Sequence, residues 1–419
     1  MKIAHFSDLH YCGAHLKEAH RCFSYAIDAA IAAGVDCAVI SGDATDHALD
    51  VHAPAVAALA SNVRRLADHC PVLMLQGTYS HEPPGTLEVF KLLGGRYPVH
   101  VADRIEQVAL MEQGQWLASD GWRFETVPAH NRALFSCVPT VNKAMVAAAV
   151  GATEAATAVG EHLALLLRGF APTNAGARSA CVPTIGVSHG TVHGCITEHG
   201  VPMAGFDHEF TMRSLFAAGA SAFLLGHIHK HQAWAQDGRQ VAYAGSIGRL
   251  HYGEEGEKGF LIWTVDAEGA GFTLVPTPSK RTIDITFDGT PELEQLRAAA
   301  GDAEIAGAHV RIRWNVAEED RQAVDRAGIE VMFSMAAEVK LEGRMIPVVR
   351  TRAAGISQAA SIGAKVEAWA HATEAQAAPL LACLEAIQTQ TPEAIACAML
   401  ERSTAVALET QRIVAVAAA

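Results

Sequence analysis

Two residue classes are scarce in this 419-residue sequence. Aromatic residues make up 6% and charged residues 18%, whereas roughly a quarter of the residues of a typical globular protein are charged. Internal repeats and long runs of like charge are also missing, which excludes a repeat array and a highly charged, disordered chain. Hydrophobic residues are nevertheless 50% of the total, so the chain can build a large core, chiefly from aliphatic side chains. A chain of this length predicts two or three domains.

Paired cysteine motifs and a leader segment are absent as well. The nine cysteines are scattered without a C-x-x-C pair, which disfavours a structural zinc site or a disulfide framework and favours reduced thiols. The first ten residues enter a strand pattern directly and lack the apolar region of a signal peptide. An alanine-rich run at 146–167 is interrupted by Glu154, Glu161 and His162, so it predicts a packed amphipathic helix and no membrane span. We therefore expect a cytoplasmic protein that does not associate with membranes.

The sequence also lacks an excess of positive charge, because its formal net charge is -13. Neutralisation of phosphates supplies most non-specific affinity for nucleic acids, so this charge argues against strong sequence-independent DNA binding by the chain alone. A nuclease is not excluded, since bound metal ions and a local basic patch can still meet a phosphate. The candidate phosphate-facing cations, which fit ordinary solvated charge equally well, are Lys230, Arg249, Lys258, Arg311 and Arg313.

The first 75 residues alternate short apolar runs with amphipathic segments. The apolar runs at 2–6, 36–40 and 71–75 predict buried strands, and the segments at 16–33 and 53–68 predict helices. This alternation is typical of a sheet with parallel neighbouring strands and helices packed against it.

The pattern changes after a long helix predicted at 142–168. Six strands follow between residues 184 and 275 with little helix between the last four, which predicts a meander and hence a second, largely antiparallel sheet portion. The turn-forming segment 276–280 is the predicted domain boundary. We thus predict an α/β domain at 1–280, a small α+β domain at 281–350 and a helical C-terminal region at 351–419.

Five short motifs rich in Asp and His stand where predicted strands end. Because the carboxyl ends of strands line the ligand crevice of open α/β sheets, we expect the five motifs to meet at one edge. A single D-x-H or H-x-H is weak evidence, but the ordered set indicates a metal-dependent phosphoesterase. The motifs are Asp8-Leu9-His10, Gly42-Asp43-Ala44-Thr45-Asp46, Gly77-Thr78-Tyr79-Ser80-His81-Glu82, Ser188-His189-Gly190 and Gly226-His227-Ile228-His229.

The residue types in these motifs suit divalent metal ions. Carboxylates and imidazoles bind Mn, Fe and Zn. Asp8 and His10 lie two residues apart, as do His227 and His229, and residues at this spacing face the same side of an extended segment. Two ions roughly 3.5–4 Å apart clamp a phosphate and activate a bridging water for in-line attack. Asp43, with its two carboxylate oxygens, is the natural bridging ligand.

Two further residues of the motifs have predicted supporting roles. His81 is the candidate to protonate the leaving oxygen or to stabilise the transition state. Asp46 is expected to support its turn or to orient a neighbouring ligand, and not to bind metal itself. His193, four residues after His189, is a weaker alternative to His189 as the ligand from that motif.

With these residues, the sequence resembles the calcineurin-like metallophosphoesterases. The start His5-Phe6-Ser7-Asp8-Leu9-His10, the segment Tyr243-Ala244-Gly245-Ser246-Ile247-Gly248-Arg249 and the segment 253–260 are similar to the SbcD-type DNA repair nuclease subunit. The resemblance covers roughly residues 1–280 and extends only loosely to 309–313. It implies a four-layer α/β/β/α sandwich with two mixed sheets and a small capping domain. It also implies a manganese-dependent exo- and endonuclease that acts on DNA.

The resemblance further implies a role for each matched residue. His81 would be the catalytic histidine, and Arg249 is a candidate phosphate-binding residue. Members of this family commonly partner an SbcC-type coiled-coil ATPase through segments beyond the cap, so we expect such a partner here, with a homodimer as a further expectation. One ion, expected to be manganese, would be held by Asp8, His10, Asp43 and His229, and the other by Asp43, His189 and His227.

The third motif departs from the family pattern, which usually reads G-N-H-D/E with the Asn as a metal ligand. Here Ser80 or Thr78 stands near the Asn position, and Ser80 is the candidate ligand. A neutral hydroxyl is a poorer ligand than an amide carbonyl, so the sequence predicts weaker occupancy of the second metal position. Two other functions stay open: a hydrolase of small phosphoesters such as cyclic nucleotides, and a scaffold that has lost turnover.

Overall fold

The computed structural model describes residues 1–47, 49–50, 52–93, 95–141, 152–203, 209–317, 323–346 and 356–402. Its strands are β1 (Lys2–Phe6), β2 (Cys37–Ile40), β3 (Val72–Leu75), β4 (Val99–Ala102), β5 (Glu106–Met111), β6 (Trp116–Ala118), β7 (Asn131–Val138), β8 (Thr184–His189), β9 (Ala222–Gly226), β10 (Gln232–Gln236), β11 (Arg239–Tyr243), β12 (Gly259–Val265), β13 (Ala270–Pro276), β14 (Thr282–Asp288), β15 (His309–Ala317) and β16 (Glu338–Ile346). Its α-helices are α1 (Leu16–Ala32), α2 (Pro54–His69), α3 (Ala152–Ser179), α4 (Met212–Ala217), α5 (Leu293–Ala300), α6 (Arg326–Met332), α7 (Ile362–Ala372) and α8 (Ala377–Thr389).

Two mixed sheets form the first part of the chain. The first sheet has the order β13-β12-β1-β2-β3-β4, in which β1 to β4 run parallel and β12 pairs antiparallel with β1. The second has the order β10-β11-β9-β8-β7-β5-β6, with β7, β8, β9 and β11 parallel. Each sheet therefore places the carboxyl ends of several parallel strands along one edge.

The buried residues show that the two sheets pack face to face. Successive side chains of a strand point to opposite faces. In the first sheet, Ile3 and Val39 join Phe135 of the second sheet in one buried cluster. The intervening residues Ala4 and Phe6 point the other way and pack in a separate cluster with the helices. One face of each sheet thus forms the central core.

Helices cover the two outer faces. On the first sheet, α1 contributes Phe23 and Ile27, and α2 contributes Leu59, to the cluster that also holds Phe6 and Ile40. On the second sheet, the buried residues of α3 join side chains of β9 and β11. The architecture is therefore the predicted four-layer α/β/β/α sandwich. The part of the run at 146–167 that the structure describes is a packed helix, as predicted.

The predicted meander is wrong. Strands β10 and β11 belong to the second sheet, where β11 lies parallel to β9. Strands β12 and β13 return to the first sheet, where β12 pairs with the outer edge of β1. An unpaired edge beside β1 would leave backbone N–H and C=O groups exposed. Closing that edge outweighs the tendency of consecutive strands to stay neighbours.

The long predicted helix also differs from the structure. Residues 142–151 of the prediction lie outside the described part of the chain. The described helix, α3, continues beyond the predicted end at 168 to Ser179 and has Pro172 in its interior. Among the described residues, no helix is long and apolar enough to cross a membrane.

The remaining elements follow the second sheet in the chain. Strands β14, β15 and β16 form a three-stranded sheet, and α5 and α6 accompany it. By their contacts, the described residues up to 315, with 323–344, form one compact unit, and those at 316–317, 345–346 and 356–402 form a second. The domain boundary at 276–280 stays a prediction.

Candidate metal centre

The motif residues lie at, or just after, the carboxyl ends of five parallel strands. Strands β1, β2 and β3 of the first sheet lead to the first three motifs, and β8 and β9 of the second sheet lead to the last two. Side chains from all five motifs contact one another. This is the placement that the strand-end pattern predicts.

The backbone at this edge is held in an uncommon conformation. Asp8, His10, Asp43 and His227 have φ values of 51°, 46°, 51° and 100°, a region that residues other than glycine rarely adopt. Such residues cost roughly 1–3 kcal/mol each and persist only where the surrounding structure fixes them. Four of the predicted ligand residues therefore have a strained backbone conformation at the edge where their side chains meet.

Residue 42 must be a glycine because of its backbone conformation and because the loops pack closely at this edge. Its φ of 103° suits glycine, and a Cβ atom here would collide with the imidazole of His189. The glycine thus lets the β2 loop pass close to a candidate ligand from the other sheet.

The first cluster joins Asp8, His10 and His229. The Nε2 atoms of His10 and His229 lie 3.1 Å apart. Oδ1 of Asp8 lies 3.9 Å from Nε2 of His10 and 3.8 Å from Nε2 of His229. Two imidazole nitrogens that each lie roughly 2.1 Å from one ion are separated by about 3 Å when the angle at the ion is near 90°. The spacing of the two nitrogens therefore fits a shared cation.

The second cluster joins Asp43, His189 and His227. Nδ1 of His189 donates a hydrogen bond to the carbonyl of Ser41, 2.8 Å away, so its other ring nitrogen, Nε2, faces Oδ2 of Asp43 at 3.2 Å. Burial lowers the pKa of His189, but the charge of Asp43 outweighs burial and raises that pKa to about 10. The buried carboxylate of Asp43 thus favours positive charge at this position.

Thr78, and not Ser80, supplies the hydroxyl at this cluster. Oγ1 of Thr78 lies 3.1 Å from both Oδ2 of Asp43 and Nε2 of His189, and 3.5 Å from Nδ1 of His227. The backbone N–H of Thr78 donates to Oδ1 of Asp43 at 2.6 Å. Ser80 is exposed, because the loop turns outward after Thr78. Of the two hydroxyls named from the sequence, Thr78 is therefore the candidate ligand.

The donor set fits two divalent cations. Asp8 and Asp43 are 0% and 2% exposed, and the ion pairs of the described residues give both carboxylates histidine partners but no Lys or Arg. Buried carboxylates are normally paired with a cation or coordinate a metal. Imidazole and carboxylate together are the ligands that Mn, Fe and Zn accept.

Asp43 acts on both clusters. Burial lowers the pKa of His10, but its contacts with Asp46, Asp43 and Asp8 outweigh burial and raise that pKa. The carboxylate of Asp43 thus influences His10 of the first cluster as well as His189 of the second. A bridging role for Asp43 remains a prediction that this position supports.

His81 stands beside the first cluster and is oriented by Asp46. Nδ1 of His81 lies 2.7 Å from Oδ1 of Asp46, and the His81 ring is perpendicular to that of His10 at 4.8 Å. The contact with His10 is the largest influence on the pKa of Asp46 and lowers it. The contact with His81 lowers it further, and together they outweigh burial, so that the pKa of Asp46 lies well below its usual range. The side chain of His81 is 28% exposed, so it borders both the cluster and the solvent.

Glu82 is a structural residue of the site whose role the sequence analysis missed. It is fully buried, and its carboxylate accepts hydrogen bonds from the backbone N–H groups of Ala44, Thr45 and Gly77. Burial and the charge of Asp43 raise the pKa of Glu82 to about 7. The side chain ties the β2 loop to the β3 loop. The only sequence feature that pointed to Glu82 was its position directly after His81. Its role could not be predicted from that, because two of its hydrogen-bond donors lie in the loop after β2, far away in sequence.

We expect Glu82→Ala to destabilise the fold. Three buried N–H groups would lose their acceptor, and each unsatisfied buried donor costs about 1–3 kcal/mol. Urea unfolding should therefore show a loss of at least about 3 kcal/mol. Glu88→Ala, which removes an exposed carboxylate paired with Lys91, is the matched control and should unfold at the wild-type midpoint. Equal midpoints for all three proteins would contradict this role of Glu82.

The five candidate phosphate-facing cations all make contacts within the chain. Arg249, the candidate phosphate-binding residue, donates to Oγ of Ser279 and to the carbonyls of Lys280 and Gly256. Its guanidinium therefore fastens the loop after β11. The other four form ion pairs: Lys230 with Glu255, Lys258 with Glu254, and both Arg311 and Arg313 with Asp284.

Of the two alternatives in the fourth motif, His189 is the residue that the structure brings into a cluster. His193 lies in the following loop, where its N–H donates to the carbonyl of Phe210. Tyr243 fixes that loop, because its hydroxyl donates to the carbonyl of Gly190 and accepts from the N–H of Val192.

Comparison with known proteins gives structural matches only. No family model and no curated protein sequence matches this chain. A structure described as GAP50, the anchor in the inner membrane complex of Plasmodium, is 11% identical with a TM-score of 0.41, over 66% of this chain and 85% of that one. A dimetal phosphatase from Danio rerio is 10% identical with a TM-score of 0.38, over 65% of this chain and 98% of that one. Likeness at this level carries no argument about function, which rests on the residues themselves.

The position of Thr78 predicts two unequal metal sites. The hydroxyl of Thr78 is a weak ligand. A calorimetric titration with manganese should therefore resolve one site of higher and one of lower affinity. We expect Thr78→Val to weaken the second site by a further 10- to 100-fold or so, the range seen when a supporting group of a metal site is lost. Ser80→Ala, which alters an exposed hydroxyl two residues away, should bind as the wild type does. Two equally tight sites in the wild type would contradict the prediction.

Proposed function

We propose that this protein is a two-metal phosphoester hydrolase. The observation that carries the proposal is the pair of His/Asp clusters, which meet at the strand ends of two packed sheets with His81 beside them. Asp8, His10 and His229 would hold one ion, and His189 and His227 the other, with Asp43 between them. Divalent ions bound there would supply an activated water and would neutralise charge on the phosphate.

The chain's own residues would position the substrate and move a proton. Because Nδ1 of His81 faces Asp46, its Nε2 is the atom available to donate a proton to the leaving oxygen. Asp46 would fix the orientation of the imidazole. Asp8, Asp43 and His189 are buried, whereas His81, 28% exposed, borders the solvent from which a substrate would enter.

Within this class, we propose an SbcD-type DNA nuclease. Two of the three segments that carry the resemblance, 243–249 and 253–260, border the site: the N–H of Ser246 and Nζ of Lys258 both donate to the carbonyl of His229. Lys258 is buried together with its ion-pair partner Glu254. These segments therefore help to fix a candidate metal ligand. An SbcC-type ATPase remains the proposed partner, manganese the proposed metal, and a homodimer and a cytoplasmic location remain expectations.

A hydrolase of small phosphoesters is the second candidate. The observation that favours it is that the five candidate phosphate-facing cations are occupied by contacts within the chain. A small phosphoester needs no extended basic surface, whereas binding of a DNA backbone gains most of its affinity from one.

One experiment separates the two candidates. Manganese-loaded wild type is incubated with end-labelled linear DNA and, in parallel, with bis(p-nitrophenyl) phosphate, beside His81→Ala and Asp43→Ala. Degradation of DNA by the wild type alone supports the nuclease. Hydrolysis of the small diester with intact DNA supports the second candidate. Failure to hydrolyse any phosphoester, with metal bound, would contradict both and leave the scaffold.

A further inference from the structure

The loop between β1 and α1, together with the loop after β2, carries a further group of metal-ligating side chains. Cys12, His15 and Asp46 each offer one ligand atom, and these atoms all lie within 4.8 Å of one another. The proposed hydrolase uses neither Cys12 nor His15. The group nevertheless adjoins the proposed active site, because Asp46 also orients His81 at 2.7 Å.

Local structure does not account for the histidine of this group. His15 is the N-cap residue of α1, yet its side chain makes no capping hydrogen bond. Ser, Thr, Asp and Asn are the residues that stabilise this position. The imidazole of His15 thus lies at the start of α1 but does not stabilise the helix by capping it.

The cysteine is placed to act as a ligand. Cys12 is 9% exposed, and its thiol lies within reach of the backbone N–H groups of Ala14 and His15 and of the Asp46 carboxylate. Burial, reinforced by the Asp46 carboxylate and only partly opposed by these N–H groups, raises the pKa of the Cys12 thiol, so the sulfur becomes a thiolate ligand when a bound cation replaces its proton. The contacts of Asp46 with His10, His47 and His81 all involve the same carboxylate oxygen, Oδ1. The other oxygen, Oδ2, takes part in none of these three contacts.

We propose that Cys12, His15 and Asp46 bind a zinc ion, separate from the two ions of the hydrolase, and that this zinc inhibits the enzyme. A thiolate, an imidazole and a carboxylate form a donor set that favours zinc over manganese, which prefers oxygen ligands. On binding, the Cys12 thiol gives its proton to solvent. Zinc draws the Asp46 carboxylate away from His81, which then loses its orientation. The inhibitory part of the proposal rests on the proposed function.

Cobalt tests the site without reference to activity. Neither cluster of the dinuclear centre contains sulfur among the described residues, so a sulfur-to-cobalt charge-transfer band reports on Cys12. Full-length, manganese-loaded protein should develop this near-ultraviolet band on cobalt titration, and Cys12→Ser should lose it. Cys181→Ser, which alters an exposed thiol, is the control and should keep it. Absence of the band from the wild type, or its persistence in Cys12→Ser, would overturn the site.

Zinc inhibition tests the functional half. In manganese-supported hydrolysis of bis(p-nitrophenyl) phosphate, the zinc concentration for half-inhibition should rise at least about tenfold in Cys12→Ser. Activity without zinc should be retained in that variant. Equal inhibition of both proteins would overturn the inhibitory role. If the wild type hydrolyses nothing, the proposed function fails, while the cobalt band still decides whether the zinc site exists.

Discussion

Asp43→Asn is expected to lower the rate of phosphoester hydrolysis by about a thousandfold or more. Asp43 is the carboxylate that contacts His189 and Thr78 in one cluster and influences His10 of the other. An amide keeps the shape but removes the negative charge, so neither ion is held as tightly. Loss of one preorganised charge-stabilising group typically costs about 10²–10³ in rate, and this change weakens two ions together. The measurement is kcat together with metal content per chain.

The control for Asp43→Asn is Asp237→Asn. Asp237 is an exposed aspartate that also has a positive φ, 50°, but it lies at the turn between β10 and β11. This variant should keep wild-type activity and metal content. An active Asp43→Asn protein with two bound ions would show that Asp43 is not shared, and the proposed site would need a different centre.

His81→Asn is expected to lower kcat by about 10²- to 10⁴-fold, the usual contribution of a general acid, and to leave metal content unchanged. The reason is that His81 lies beside the first cluster but is a member of neither three-residue ligand group proposed to hold the two ions. The measurement is kcat and KM for bis(p-nitrophenyl) phosphate, with metal content determined on the same samples.

His47 provides a matched control for His81. Both histidines place Nδ1 near Oδ1 of Asp46, at 2.6 Å for His47 and 2.7 Å for His81. The His47 side chain is 75% exposed, whereas His81 adjoins His10. His47→Asn should therefore leave kcat near the wild-type value. Similar losses in the two variants would indicate that the carboxylate of Asp46, and not the imidazole of His81, carries the effect.

The sequence pattern was sufficient to predict parallel strands with helices packed against them and the meeting of the motifs at one edge. The four-layer sandwich with two mixed sheets was predicted from the resemblance to the calcineurin-like metallophosphoesterases. The clusters follow because Asp8, Asp43 and His189 each come directly at or after the end of a parallel strand. These are local signals, and parallel pairing converts them into proximity.

Two features could not be predicted because they depend on contacts distant in sequence. The choice of Thr78 over Ser80 is set by the path of the loop after β3, which Glu82 fixes by accepting hydrogen bonds from N–H groups of the loop after β2. The return of β12 to the edge of β1 spans most of the domain. Neither contact leaves a periodic trace in the sequence.

The most direct test of a two-metal hydrolase is a manganese titration of metal-stripped protein in which bound metal and hydrolysis of bis(p-nitrophenyl) phosphate are measured on the same samples. We predict no hydrolysis without metal, a low rate while the tighter site fills, and a rise in rate that follows the second, weaker ion. Hydrolysis by the metal-free protein, or a full rate with one ion bound, would contradict the account.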